Sequence, residues 1–142
     1  MIGTLYISHA TMDLSPEDLA KILRVSVANN PKRGITGVLM YHEGMFLQYL
    51  EGPEAQVAET LAAIKDDPRH RNMFVLINDQ IAERHFPDWA MALADPTLMP
   101  PKDQDLCRRL HDAVSDHVTG VLKRQLQSLV ANFHRIADNR PR

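Results

Sequence analysis

A hairpin flanked by two helical patterns constrains this chain more than any other feature. Gly34 to Tyr41 and Met45 to Glu51 read as strands joined by His42-Glu43-Gly44, a short hairpin signal with glycine near its end. Ahead of it, Leu14 precedes a Ser15 N-cap, Pro16 takes the first helical position, and Glu17 and Asp18 stand in the first turn, where acids suit the helix dipole. The apolar stripe of this helix is Leu19, Ile22, Leu23 and Val27, with Ser26 on the same side. Pro31 predicts a stop at Asn29-Asn30, because proline disfavours helical geometry in the residue before it. Behind the hairpin, a helix from Pro53 to about Lys65 carries Val57, Leu61 and Ile64 on one side and ends at Asp66-Asp67-Pro68.

Outer strands complete the order. Ile2, Leu5 and Ile7 are apolar in the opening run, and Thr4, Tyr6 and Ser8 share one parity; Phe74 to Ile81 gives a fourth strand and Trp89 to Leu93 a short fifth. Strand, helix, hairpin, helix, strand is the order of a ferredoxin-like α+β sandwich, here a five-stranded mixed sheet with two helices on one face. Residues 103–137 hold two further amphipathic patterns, Leu106, Leu110 and Val114, then Leu122, Leu126, Leu129, Phe133 and Ile136. These predict two C-terminal helices that cover the other sheet face or meet a partner. The expected division is residues 1–95 as the core domain and 96–142 as a helical extension of the same globular unit.

Composition narrows the function classes. At 142 residues, 44% hydrophobic and 24% charged, the chain fits one domain. A formal net charge of −2, with 16 basic against 18 acidic residues, provides no global attraction to nucleic acid or anionic membrane. The single cysteine, Cys107, cannot form an internal disulfide, and no segment approaches the ~18 apolar residues of a membrane span. A cytoplasmic protein is expected.

Amides and a phenol occupy positions where apolar residues are the default. Gln48 lies between Phe46 and Leu50 on one strand face, Tyr6 and Ser8 share a face of the first strand, and Asn29-Asn30 close the first helix. An unpaired buried amide costs about 1–3 kcal/mol, so such a group needs partners. Singly, Tyr6 reads as a core-rim tyrosine and Asn29-Asn30 as a helix stop; jointly they suit a planar heterocycle with alternating donors and acceptors. The seven histidines, His9, His42, His70, His85, His111, His117 and His134, form no HxxxH or HExxH pattern and read as surface residues, with His70 in DPRH as the exception. No metal site is expected.

The set LYIS, NNPKRGITGVLMYHEGMFLQYLEG, DDPRH and FPDWAM, spanning roughly residues 2–93, resembles the BLUF domains, blue-light sensors that hold a flavin. The resemblance implies FAD as cofactor, with FMN or riboflavin as alternatives, and no enzymatic activity. It makes Tyr6 and Gln48 the photoactive pair, with Ser8, Trp89 and Met91 as a relay; which of Trp89 and Met91 faces the pocket stays open. It further implies that Asn30 pairs with the imide edge of the flavin and that Asn29 lies against the ring. Asp67 and Arg69 would serve its C2 carbonyl and ribityl side, with His70 bordering it. Ile22, Ser26 and Ile35 would wall the slot, and Lys32 and Arg33 would reach phosphate. Ala63 departs from relatives that place a basic or imidazole group there, and Tyr49, on the face opposite Gln48, reads as a core residue in preference to a second electron donor. Short members of this family imply a separate downstream effector protein, homo-oligomerisation through the helical tail, and no direct contact with nucleic acid or membrane. Two other classes stand beside this reading: a flavin-dependent oxidoreductase, for which the chain lacks a glycine-rich dinucleotide turn, and a ferredoxin-like regulatory module without flavin.

Overall fold

The computed structural model describes residues 1–42, 44–87 and 92–93. Strand β1 (Ile2–Ala10) leads into helix α1 (Pro16–Arg33); β2 (Thr36–His42) and β3 (Met45–Gly52) form the hairpin; α2 (Glu54–Asp66) leads to β4 (His70–Gln80). The two-residue β5 (Ala92–Leu93) adds to the outer edge of β2, for a sheet order β4-β1-β3-β2-β5. The first four strands pair antiparallel and β5 runs parallel to β2. This is the ferredoxin-like fold: each βαβ crossover leaves a gap in the sheet that a strand of the other fills. Trp89, Met91 and the C-terminal extension with Cys107 lie outside the described residues.

Helix α1 begins as the sequence predicts. Ser15 and Asp18 exchange the reciprocal bonds of a capping box, Asp18 N–H to Ser15 Oγ at 3.1 Å and Ser15 N–H to Asp18 Oδ2 at 3.0 Å. Its end corrects the expected stop at Asn29-Asn30. The helix runs through Pro31 to Arg33, because Gly34 adopts a left-handed conformation (φ 68°) and closes a Schellman motif. In that motif Ile35 N–H bonds to Asn30 C=O at 2.9 Å and Gly34 N–H to Pro31 C=O at 3.2 Å. These bonds satisfy the carbonyls of Asn30 and Pro31 at the helix end. The stripe differs at one position: Val27 is exposed, while Leu19, Ile22 and Leu23 pack inward.

Strand β4 begins at His70 rather than Phe74 because two irregularities absorb the extra residues. Pairing with β1 shifts between Leu5 and Tyr6 and again between Ile7 and His9, where Asn72 has φ 51°. Asparagine tolerates that conformation, and the bulge lets His70 pair with Ala10. Strand β2 starts at Thr36, two residues later than expected, since Gly34 serves as the helix cap.

Alternation sorts the sheet into two faces. Tyr6, Leu39, Phe46 and Leu50 turn toward the helices and pack with Leu19, Val57, Ile22, Leu23, Leu61 and Ile64. Leu5, Val38, Leu47 and Tyr49 fill the opposite face, where Phe86 is also fully buried. Tyr49 is a core residue there, as its parity implies. The β2–β3 contact is tight enough that a Cβ on Gly37 would stand 2.0 Å from the backbone oxygen of Tyr49. Gly37→Ala is therefore expected to destabilise the fold by about 1–3 kcal/mol, the usual cost of overpacking, measurable by urea unfolding.

Candidate functional site

Between the two helices and the sheet lies a cavity of about 260 Å³. Helix α1 contributes Ile22, Val25, Ser26, Asn29, Asn30 and Arg33; the sheet contributes Tyr6, Leu39, Phe46, Gln48, Leu50 and, at the start of β4, His70; α2 and the turn after it contribute Thr60, Ala63, Ile64, Asp67 and Arg69. The six α1 residues recur at intervals of three or four from Ile22 to Arg33, which is one helical face. Apolar walls with a few convergent polar groups are the makeup of a small-molecule site.

Its floor is the pairing of Tyr6 with Gln48. These residues stand directly opposite in the β1–β3 ladder, on the same face, and the Tyr6 hydroxyl donates to Gln48 Oε1. Both side chains are buried, as is Asn30, which is 4% exposed at the start of the last turn of α1. Burial drives the Tyr6 phenol well above its ordinary range, and the nearby Asp67 carboxylate pushes it the same way. Tyr6 is thus held as a neutral donor at any physiological pH.

The turn between α2 and β4 forms the rim. Arg69 Nε bonds both carboxylate oxygens of Asp67 at 3.0 Å, and the Arg69 backbone N–H adds a bond to Oδ1 at 2.9 Å. The Arg69 hydrogen bonds hold the Asp67 carboxyl below the ordinary carboxylate range. His70 stands half-buried beside them. Its Nδ1 is 2.8 Å from Ser8 Oγ, and its ring packs on Phe46 at 4.6 Å and meets the Tyr6 ring edge at 6.5 Å. Arg33 Nη1 donates to Thr60 Oγ1 at 3.4 Å, linking the helices across the far end of the cavity.

Of the sequence-derived set, Tyr6, Ile22, Ser26, Asn29, Asn30, Arg33, Gln48, Asp67, Arg69 and His70 line the cavity. Ser8 reaches it through His70. Lys32 does not line it: it is exposed on the outer side of the last turn of α1. Ile35 does not either; following the Gly34 cap, it is 1% exposed within the core cluster. Thr60 and Leu39 were not singled out in the sequence. A signal for each existed: Thr60 is one turn before Ile64, and the hairpin register sets Leu39 opposite Gln48.

The comparisons with known proteins agree with this geometry. The family model for BLUF, sensors of blue-light using FAD, matches residues 1–92. The chain belongs to the BLUF family of flavin-binding blue-light sensors. It is 31% identical over 140 residues to the photoactivated adenylate cyclase subunit beta-like protein FB of Euglena gracilis, covering 96% of this chain and 16% of that protein. It is 35% identical over 96 residues to the blue light- and temperature-regulated antirepressor BluF of Escherichia coli (strain K12), covering 67% of this chain and 24% of that one. The chain thus spans less than a quarter of the length of these relatives. Among solved structures, the dark state of the BLUF protein BlrB superposes with a TM-score of 0.66 at 28% identity, covering 98% of this chain and 96% of that chain.

Protonation of the rim has a definite sign. Burial holds the His70 pKa below its ordinary 6.5, and the hydrogen bonds from Arg69 hold that of Asp67 below its ordinary 3.8. In both cases the unfolded chain binds more protons, so stability is fully present above the unfolded value and declines as pH falls through the folded one. Thermal midpoints measured from pH 6.5 downward should fall, and His70→Gln should remove the upper part of that decline.

Proposed function

We propose that the cavity holds the flavin ring, with Gln48 and Tyr6 as the photoactive pair. The carrying observation is the buried hydrogen bond from Tyr6 to Gln48 on a cavity wall that also presents the Asn30 amide. The donor set fits the group. An imide edge needs one acceptor and one donor side by side, and Asn30 offers both from a single side chain. Asn29 would lie against the ring, Asp67 and Arg69 would serve the C2 carbonyl and ribityl side, and His70 would border it. Ile22 and Ser26 wall the slot. Arg33, at the Thr60 end, supplies a guanidinium for phosphate oxygens, which suits either FAD or FMN.

Bound flavin supplies blue-light absorption and, when excited, a strong oxidant. The residues of the chain supply the rest. Tyr6, kept protonated by burial, would give an electron to the excited ring and its proton to the bridging Gln48, and both would return to Tyr6 on recombination, so that nothing is consumed. Gln48 then returns from the cycle with its amide rotated or tautomerised, which exchanges donor for acceptor toward both neighbours without changing size or net charge. That exchange defines two states of similar energy, and a stronger donation toward the flavin C4 carbonyl shifts absorption to the red.

The output is non-enzymatic: a change in protein–protein contacts read by a separate effector protein. Self-assembly, a cytoplasmic location, and a relay through Ser8, Trp89 and Met91 belong to this reading. No helix among the described residues is long and apolar enough to cross a membrane.

Absorption spectra of the flavin-supplemented protein, before and just after blue illumination, test the assignment. Wild type should show a small red shift that decays in the dark. Tyr6→Phe should keep the flavin and lose the shift; a normal photocycle in that variant would falsify the donor. Asn30→Ala should weaken flavin retention by roughly tenfold, equivalent to about 1.4 kcal/mol, as measured by equilibrium dialysis.

A further inference from the structure

On the sheet face opposite the cavity, a carboxylate has been taken entirely out of solvent. Glu51, near the end of β3, is 0% exposed. Its Oε1 accepts from Thr36 Oγ1 at 3.0 Å and from Phe86 N–H at 2.7 Å, and its Oε2 accepts from His85 N–H at 2.8 Å. Burial of such a group is tolerated when its lone pairs are used in this way. Arg84 completes the node. Its Nη1 donates to Thr36 Oγ1 at 2.9 Å and to the Glu51 carbonyl at 3.3 Å, while Nη2 donates to the Gly34 carbonyl at 2.6 Å. Phe86 anchors the same segment in the core, 5.5 Å from the Tyr49 ring.

These bonds tie the segment Arg84–Phe86 to the cap of α1 and to the open end of the β2–β3 hairpin. Gly34 caps α1 immediately after Arg33 and one turn after Asn30, both of which line the cavity. Glu51 follows Gln48 on β3 by three residues and so lies on the other face of the same strand. The segment Arg84–Phe86 precedes β5, which pairs with β2 through Val38 with Ala92 and Leu39 with Leu93. Leu39 is itself the cross-strand neighbour of Gln48. The segment Arg84–Phe86 is therefore held by directional bonds to the two elements that also carry Asn30 and Gln48. A guanidinium spread over three acceptors has discrete alternatives, since losing the Gly34 carbonyl leaves Thr36 and Glu51 within its reach.

We propose that Arg84 is a positioning residue for signal output: through Glu51, Thr36 and Gly34 it couples the state of the cavity to the seating of β5 on β2. This rests on the light-sensing reading above and adds to it a path across the sheet that bypasses the cavity-side relay. Arg84 touches neither the cavity nor the photoactive pair, so the primary photochemistry does not depend on it.

Amide hydrogen exchange at His85, Phe86, Ala92 and Leu93, in darkness and under blue light, tests the proposal in wild type, Arg84→Met and Glu51→Gln. Wild type should exchange differently at these amides in the two conditions. Arg84→Met should keep its flavin and its full red shift, yet lose the light–dark difference. Its exchange at His85 and Phe86 should rise by about tenfold in darkness and equally in flavin-free protein, because the opening is local to the node. Glu51→Gln, which removes the acceptor for His85 N–H while conserving shape, should reproduce the effect at that amide. A wild-type-sized light–dark difference in both variants would overturn the coupling, as would a wild type that shifts its spectrum with no exchange response. Loss of flavin or of the red shift in Arg84→Met would also overturn it, by showing that the node belongs to the cavity. If wild type itself binds flavin without a red shift, the light-sensing reading fails first, and the coupling with it.

Discussion

The pairing of β1 with β3 is the constraint on which the rest of the molecule depends. These two strands form the middle of the sheet and share a register of eight residue pairs, from Ile2 with Gly52 to His9 with Met45. Because side chains alternate, a slip of one residue between them would set Tyr6 opposite a residue of the wrong parity and turn Gln48 away from it. Local fit defends this register. Gly3 has no Cβ, and one placed there would meet the Tyr49 hydroxyl from the neighbouring strand at 2.3 Å. The packing of the solvent-remote face therefore holds the hydrogen bond on the cavity face.

Burial then gives that hydrogen bond its character. Tyr6 is 1% exposed and Gln48 6%, in a cluster of Leu39, Phe46 and Leu50. In such surroundings a phenolate has no solvation, so the hydroxyl keeps its proton and the amide oxygen must face it. Reversal of the amide is possible only if another group changes what it offers. The same dryness that stabilises one arrangement raises the barrier to leaving it spontaneously, a property suited to a device driven by photons rather than by thermal noise.

Much of this architecture was legible in the sequence, and the reasons differ by element. Ser15, Pro16 and Asp18 announced the start of α1 because capping chemistry is local to four residues. The hairpin was legible because two alternating runs flank a glycine, and its parity put Tyr49 and Gln48 on opposite faces. The end of α1 was not, since Pro31 is a stop signal only until one knows that Gly34 can complete a Schellman motif beyond it. The start of β4 was hidden for a related reason: a bulge erases the alternation by which strands are recognised. At the site, the polar residues stood out because an amide between Phe46 and Leu50 breaks pattern. Lys32 and Ile35 do not line the cavity because sequence proximity to Asn30 does not fix direction: Lys32 faces outward from the last turn of α1, and Ile35 follows the Gly34 cap into the core. Glu51 and Arg84 are 33 residues apart, and no periodicity links a carboxylate on a strand to backbone amides in a distant loop.

The bulges of β4 bear on how molecules of this protein coexist. Among the described strands, β4 is a sheet margin, and it displays Phe74 and Val75 at 61% and 50% exposure. An apolar strand at a sheet margin is an invitation to annealing with a neighbour's sheet. Here the ladder to β1 shifts twice, once on either side of the Phe74–Val75 pair, and Arg71, Asn72, Asn78 and Asp79 flank it. An incoming strand that matches the spacing on one side of a bulge loses it on the other, so the irregularity that brings His70 to the cavity also works as a gatekeeper against fibrous growth.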